Sequence, residues 1–296
     1  MLPPDAATQL FEAQRPRLLR LAYRMLGSLS EAEDVVQDAW LRWRRVDAAV
    51  EAPAAYLSRI VTRLCLDTMK SARVRRETYV GAWLPEPLFD TAEAPDDADD
   101  LTLTLMMALE RLSPLERAAF LLHDVFGVGL AEVATTLDRA APAVRQLAAR
   151  ARRHVEAARP RFPVAQDEAD RIAQAFFAAS RDGDTAALGR MLADDVVLHS
   201  DGGGRVLAFR NPIRGIDRAL RLFAGLRRKF GPDWARQVSP VRIDGLPGYI
   251  SKERGEILQT TALGIENGRI VAIYIVRNPD KLRHVALMLD APTPLQ

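Results

Sequence analysis

Between Gly129 and Val155 the apolar positions recur twice with helical spacing. Leu130, Val133, Ala134 and Leu137 fall at i, i+3, i+4 and i+7 and predict one helix. After a turn at Asp138-Arg139-Ala140, Val144, Leu147, Ala148 and Ala151 repeat the spacing and predict a second. That second helix carries Arg145, Gln146, Ala149, Arg150 and Arg153 on its outer faces, where Arg and Gln can meet base edges in a DNA major groove. An ordinary αα-hairpin with a solvated basic face fits the same spacing. Just upstream, Ser113, Pro114 and Glu116 form a capping box with Pro at the first helical position, followed by the apolar run Ala118 to Leu122.

The N-terminal half predicts two more helices. Ser30-Glu31-Ala32-Glu33 reads as a capping box opening a helix over 31–45, with Val36, Trp40 and Trp43 on a buried stripe widened by Val35 and Ala39. Asp34, Gln37 and Asp38 share a different, exposed face. From Pro53 to Arg76 the core stripe is read as Tyr56, Ile60 and Leu64, with Leu57 and Val61 beside it. Arg59, Arg63, Asp67, Lys70 and Arg73 mark the other side, and Lys70, Arg73, Arg75 and Arg76 form a positive cluster. Such a cluster can hold phosphates, and it is equally a basic helix end favoured by the dipole.

Beyond residue 163 the pattern changes. A helical signal runs over 167–192, broken once at Asp182-Gly183-Asp184. Short β-rich runs follow at 196–198, 206–209, 249–252, 258–265 and 269–276, with a helix near 217–230 between them. Glu266-Asn267-Gly268-Arg269 is a hairpin signal. Helices followed by an antiparallel sheet suit an α+β cone.

Composition changes little of this. The 296 residues carry 41 Lys and Arg against 39 Asp and Glu, a formal net charge of +2 that does not announce a nucleic-acid binder. The balance hides segregation, because seven acids between Glu86 and Asp100 offset the basic clusters. That Pro-, Ala- and Asp-rich stretch reads as a flexible linker. The nonapeptide ahead of it, Tyr79 to Pro87, holds Tyr79, Trp83 and Leu84 and should dock somewhere. No apolar run reaches membrane-spanning length and the N-terminus lacks a signal-peptide pattern, so a cytoplasmic protein is expected. The single cysteine, Cys65, reads as a small core residue, and four scattered histidines suggest no metal cluster; no cofactor is expected.

The segments 23–43 and 53–76 resemble sigma region 2, and 105–155 resembles sigma region 4. Together they resemble the extracytoplasmic-function (ECF) sigma factors, a family with two all-α domains, the second containing a helix-turn-helix. That resemblance implies core RNA polymerase and promoter DNA as partners. It assigns polymerase binding to Asp34, Gln37 and Asp38, and −10 binding to Arg59, Arg63, Asp67, Lys70, Arg73, Arg75 and Arg76. It assigns −35 binding to Arg139, Arg145, Gln146, Ala149, Arg150 and Arg153. Two residues depart from the family pattern: Asp138 stands in the turn, and Ala140 stands where a Ser usually caps the recognition helix.

The Tyr79–Pro87 string resembles a linker motif of the subgroup with a fused SnoaL-like (nuclear transport factor 2-like) cone, with Ala82 where Pro is usual. Asp201-Gly202-Gly203-Gly204-Arg205 and Asn278-Pro279-Asp280-Lys281-Leu282 resemble two further motifs of that subgroup. The expected organisation is region 2 at 6–78, a linker at 79–104, region 4 at 105–160, a short linker at 161–166 and the cone at 167–290. By resemblance the cone regulates in cis without a separate anti-sigma protein, using Tyr79, Gly81, Trp83, Leu84, Pro85 and Pro87 of the linker and the two tail motifs, and it should touch the linker or region 2. Two other readings stay open: a polyketide-cyclase-like enzyme using His199 and Asp201, tethered to DNA-binding helices, and a small-molecule sensor.

Overall fold

The computed structural model describes residues 4–46, 50–77, 79–90, 102–158 and 164–290; the side chains of 4–6, 72–77 and 290 lie outside that description. The chain divides into two compact units, one of residues 1–78 with 105–158 and one of 79–104 with 159–296.

The first unit is helical: α1 (Pro4–Leu26), α2 (Leu29–Trp43), α3 (Pro53–Glu77), α4 (Leu103–Leu109) from Leu105 onward, α5 (Pro114–Phe120), α6 (Leu130–Leu137) and α7 (Ala141–Glu156). The start of α2 differs from expectation, since the cap is Ser28, whose hydroxyl accepts from the Glu31 N–H at 3.2 Å, while Ser30 bonds the Ser28 hydroxyl. Val35, Val36, Ala39 and Trp43 are buried as predicted. Trp40 is only half-buried, packed against Phe11 with ring centroids 4.9 Å apart.

In α3 the core stripe is rotated by one residue from the predicted one. Leu57, Val61, Leu64, Cys65 and Met69 are buried, whereas Tyr56 and Ile60 sit at its edges. Both rows have helical spacing, and packing against α1 and α2 selects between them. Cys65 is fully enclosed and burial pushes its thiol pKa up, which leaves it an inert core residue.

The predicted capping box at Ser113 and Glu116 forms in full. After α5 the chain winds through a π-helical turn, Leu121–Val125. Asp138 closes α6 in the left-handed conformation (φ 52°), and Ala140 starts α7 with no side-chain cap, as its methyl requires.

The two helical regions pack together within this unit through arginines. Arg117, 1% exposed, donates to the carbonyls of Leu109 and Met25 and to Glu110. Arg17 donates to the Phe126 carbonyl at 3.1 Å and lies over its ring.

The second unit is an α+β cone. Helices α8 (Gln166–Asp182), α9 (Thr185–Met191) and α10 (Ile216–Phe230) cover a sheet of β1 (Leu192–Asp201), β2 (Ile213–Arg214), β3 (Ala235–Ile243), β4 (Leu246–Glu253), β5 (Ile257–Glu266) and β6 (Arg269–Val276), and α11 (Arg283–Asp290) follows. The strand order is β2-β1-β6-β5-β4-β3, with β1 and β6 parallel and every other pair antiparallel. Gly183 and Asp184 break the first helical signal as expected, one as a left-handed C-cap and the other as an N-cap. Asn267 and Gly268, both at positive φ, make the predicted hairpin turn.

Residues 206–209 are not a strand, contrary to expectation. They follow a glycine turn in which the Arg205 and Val206 N–H groups donate to the Gly202 carbonyl, so their backbone leaves the sheet.

Candidate functional site: a linker clamp and exposed polar helix faces

Asp201 ends β1 fully buried, and every motif outside the helical regions converges on it. Its Oδ1 accepts the Tyr79 hydroxyl at 2.6 Å and the Gly203 N–H at 3.0 Å. Its Oδ2 accepts the Leu84 N–H at 2.9 Å and the Lys281 ammonium at 2.8 Å. Lys281 also donates to the Leu84 carbonyl, so carboxylate and ammonium together satisfy both backbone groups of one linker residue. Above the ammonium lie the faces of Trp83, 4.0 Å to the centroid, and Tyr79, 5.2 Å. The Asn278 side-chain amide donates through Nδ2 to the Tyr79 hydroxyl at 2.8 Å, and its Oδ1 accepts the Asp280 N–H. Burial, and then the bond to Asp201, push the Tyr79 phenol pKa well up, so it stays a donor.

A carboxylate out of water needs this many donors, because an uncompensated buried charge costs several kcal/mol. The glycines are what let the donors come close. Gly203 sits at φ 62°, and a Cβ there would lie 2.4 Å from the Asn278 amide; a Cβ at Gly202 would lie 2.2 Å from the Val206 carbonyl oxygen. Gly204 is the seat of Val80. Arg205 bridges the two tail motifs to Asp280 at 2.9 Å, an exposed pair of small energetic weight.

The linker continues along the cone with Leu84, Pro85, Glu86 and Pro87 buried. His284 of α11 bonds the Pro87 carbonyl at 2.7 Å, and Phe89 pairs with Ile243 in a β-bridge. Asp244 then takes a second hold that the sequence reading missed. Its N–H donates to the Leu88 carbonyl, its carboxylate accepts the Leu88 N–H, and its carbonyl accepts the Leu103 N–H. The Gly245 N–H donates to Asp90. The dipeptide Asp244-Gly245, both at positive φ, is a hairpin signal that would have found this turn. The acidic stretch read as flexible therefore has its first residues, 86–90, laid on the cone; 91–100 lie outside the described residues.

In the helical unit, Asp34, Gln37 and Asp38 share one exposed face of α2. On α3, Asp67 and Lys70 are exposed and paired at 2.8 Å. Arg63 reaches back to the Thr136 carbonyl of α6 at 3.4 Å. Arg59 is half-buried, its Nε enclosed without a hydrogen-bond partner. The backbone of Arg73, Arg75 and Arg76 is helical, and their side chains lie outside the described residues. On α7 Arg145, Gln146, Ala149, Arg150 and Arg153 are all exposed, as is Arg139 before it, while Val144, Ala148, Ala151 and Val155 are buried. That is the division a groove-reading helix needs.

Both members of the candidate acid-base pair are engaged elsewhere. His199 stacks on Tyr274, 5.5 Å between centroids, and Asp201 is engaged in the clamp. Among the described residues no cluster could hold a metal ion, and no helix is long and apolar enough to cross a membrane.

A polar-faced α2, a basic helix-turn-helix and a cone holding the connection between them define a promoter-recognition factor with a fused accessory domain. Comparison with known proteins gives it a family. Residues 10–75 match the model of sigma-70 region 2 and residues 102–155 that of sigma-70 region 4. The chain is 38% identical over 286 residues to the ECF RNA polymerase sigma factor SigJ of Mycobacterium tuberculosis, covering 92% of this chain and 91% of that protein. It is 32% identical to the probable ECF sigma factor SigI of the same species, over 94% and 95% of the two chains. The crystal structure of M. tuberculosis SigJ superposes with a TM-score of 0.76 at 33% identity, covering 93% of this chain and 98% of that one. The chain belongs to the extracytoplasmic-function sigma factors, which direct core RNA polymerase to promoters and initiate transcription.

Proposed function

We propose that the cone regulates the sigma module in cis by holding its connecting segment. The observation that carries this is the buried Asp201–Lys281 pair, whose partners are the linker's own Tyr79, Trp83 and Leu84. The −10 and −35 elements are named for positions about 25 base pairs apart, roughly 85 Å at about 3.4 Å per base pair. A free connection over 79–104 reaches at most roughly 90 Å, fully extended at about 3.5 Å per residue. Laid along the cone from Tyr79 to Asp90 and held again at Leu103, it loses most of that reach. The packing of the two helical regions adds a second restraint, since the Arg17–Phe126 and Arg63–Thr136 bonds cannot persist when the regions occupy separate elements. Polymerase and promoter therefore compete with both sets of contacts.

Within the released module, Asp34, Gln37 and Asp38 meet a basic surface of core polymerase. Arg59, Arg63, Asp67, Lys70, Arg73, Arg75 and Arg76 serve the −10 element. Arg139, Arg145, Gln146, Ala149, Arg150 and Arg153 serve the −35 element. The cone acts by binding rather than turnover, with Asp201 engaged by the linker and His199 by Tyr274. A separate anti-sigma protein is not required for this restraint. Promoter-dependent transcription with core polymerase tests the reading, comparing the full chain, a chain ending at Pro163 and one ending at Arg277. Removing the cone should raise activity, and the Arg277 end, which lacks Asn278 and Lys281, should do so without removing the sheet. Equal activity from all three would reject the proposal.

A further inference from the structure

The cone contains an open-mouthed cavity of about 290 Å³ that the clamp does not use. Its body is apolar, walled by Phe176, Phe223, Leu226, Phe230, Trp234 and Ile275. Its other end is polar and buried. There Ser251, 1% exposed, has a hydroxyl without a hydrogen-bond partner. Arg277 lies 3.0 Å from Glu253 in an orientation that leaves its Nε and Nη2 without hydrogen bonds. Both ions are poorly compensated, for burial pushes the Glu253 carboxyl up and the Arg277 guanidinium down. Arg254 lines the same cavity, so its charge leans positive. Buried donors without acceptors are costly in a folded protein, and here they face a space large enough for a small molecule.

We propose that this cavity binds a small apolar acid, its hydrocarbon or aromatic body among the phenylalanines and its carboxylate on Ser251 and Arg277. An anionic head supplies the acceptors that Nε, Nη2 and the hydroxyl lack, and a guanidinium takes a carboxylate in two parallel bonds. A neutral alcohol of the same length satisfies fewer of them.

The cavity and the clamp share two strand ends. Ser200 lines the cavity while the next residue, Asp201, holds the linker; Arg277 lines it while Asn278 bonds Tyr79. The rim residues Leu207, Ala208 and Phe209 continue from the glycine turn that seats Val80, and Leu207 is 70% exposed. A ligand entering past Leu207 displaces the rim and with it the turn, so occupancy loosens the linker. This second half rests on the clamp reading; the binding half does not.

The test uses the full chain with decanoate and decanol as probes, displacing the fluorescent sulfonate 8-anilinonaphthalene-1-sulfonate. Decanoate should bind one per chain and at least about tenfold more tightly than decanol. The pair Glu253→Gln with Arg277→Met should erase that preference, and Leu226→Trp should block both probes while melting like the wild type. Equal affinity for the two probes, or unchanged binding in Leu226→Trp, overturns the site. Chymotrypsin cleavage after Tyr79 or Trp83, located by mass spectrometry, reads the linker. Decanoate should accelerate it several-fold, and an unchanged rate overturns the coupling. Asp201→Asn without ligand should accelerate the same cleavage, so failure of the clamp itself is seen separately.

Discussion

Lys281 and the backbone N–H of Leu84 donate to the same oxygen of Asp201, Oδ2, at 2.8 and 2.9 Å. A linker residue thus sits inside a buried ion pair rather than beside one. Removing either ion leaves the other charged and enclosed, which costs on the order of 3–5 kcal/mol. Lys281→Met should therefore free the linker while the sheet persists. Promoter-dependent transcription should rise towards that of the chain ending at Arg277, and a variant no more active than the wild type would argue against the clamp.

Gly203→Ala attacks the same site without touching a charge. The methyl meets the Asn278 amide, and φ 62° is disfavoured for alanine, so a loss of roughly 1–3 kcal/mol is expected in the cone. Thermal melting checks the loss, and linker cleavage should increase in parallel.

On α2, Asp34→Ala with Asp38→Ala should weaken association with core polymerase about tenfold or more and leave the helix folded, because Val35, Val36, Ala39 and Trp43 hold it. A pull-down with unchanged affinity would remove these residues from the interface.

On α7 the substitutions should separate reading from holding. Arg145→Ala or Gln146→Ala should relax preference at particular −35 positions by about 1–3 kcal/mol, whereas Arg153→Ala should weaken binding to all sequences and flatten its salt dependence. Binding measured on a panel of single-base promoter variants at two salt concentrations distinguishes them. Uniform effects from all three would displace α7 as the recognition helix.

Ala140→Ser should supply the missing cap. The residue already has extended backbone (φ −66°, ψ 143°), so a hydroxyl can share the Ala143 N–H, which now donates to the Ala140 carbonyl at 2.9 Å, and stabilise α7 by up to about 1 kcal/mol. The expected readout is a higher melting temperature, with promoter preference unchanged.

What the sequence made legible follows from the range of the forces involved. The helix pair 130–156, the Ser113 box and the Asn267-Gly268 turn depend on neighbours within a few residues, and they form as predicted. The phase of α3 was missed because Tyr56-Ile60-Leu64 and Leu57-Val61-Leu64 have equal helical merit, and only packing separates them. Pro240 concealed β3, since proline argues against a strand; the strand lies at the sheet edge, where a missing N–H is tolerated. Pro16 likewise interrupts the pattern of α1. The role of Asp201 was harder still. Its motif could be singled out, but its partners stand far off in the chain at Tyr79, Leu84 and Lys281, and no local pattern announces a carboxylate that will be buried with them.

Because Tyr79 and Asp201 belong to one polypeptide, the docking in which they meet is independent of dilution. Linkage within one chain sets an effective concentration, commonly about millimolar, in place of a bulk one. On the proposed reading, restraint and target are made in a fixed one-to-one ratio, so raising expression of the gene would not titrate the restraint away. Its set point is written in the clamp's free energy alone, and only something that binds the protein, or changes its sequence, can move it.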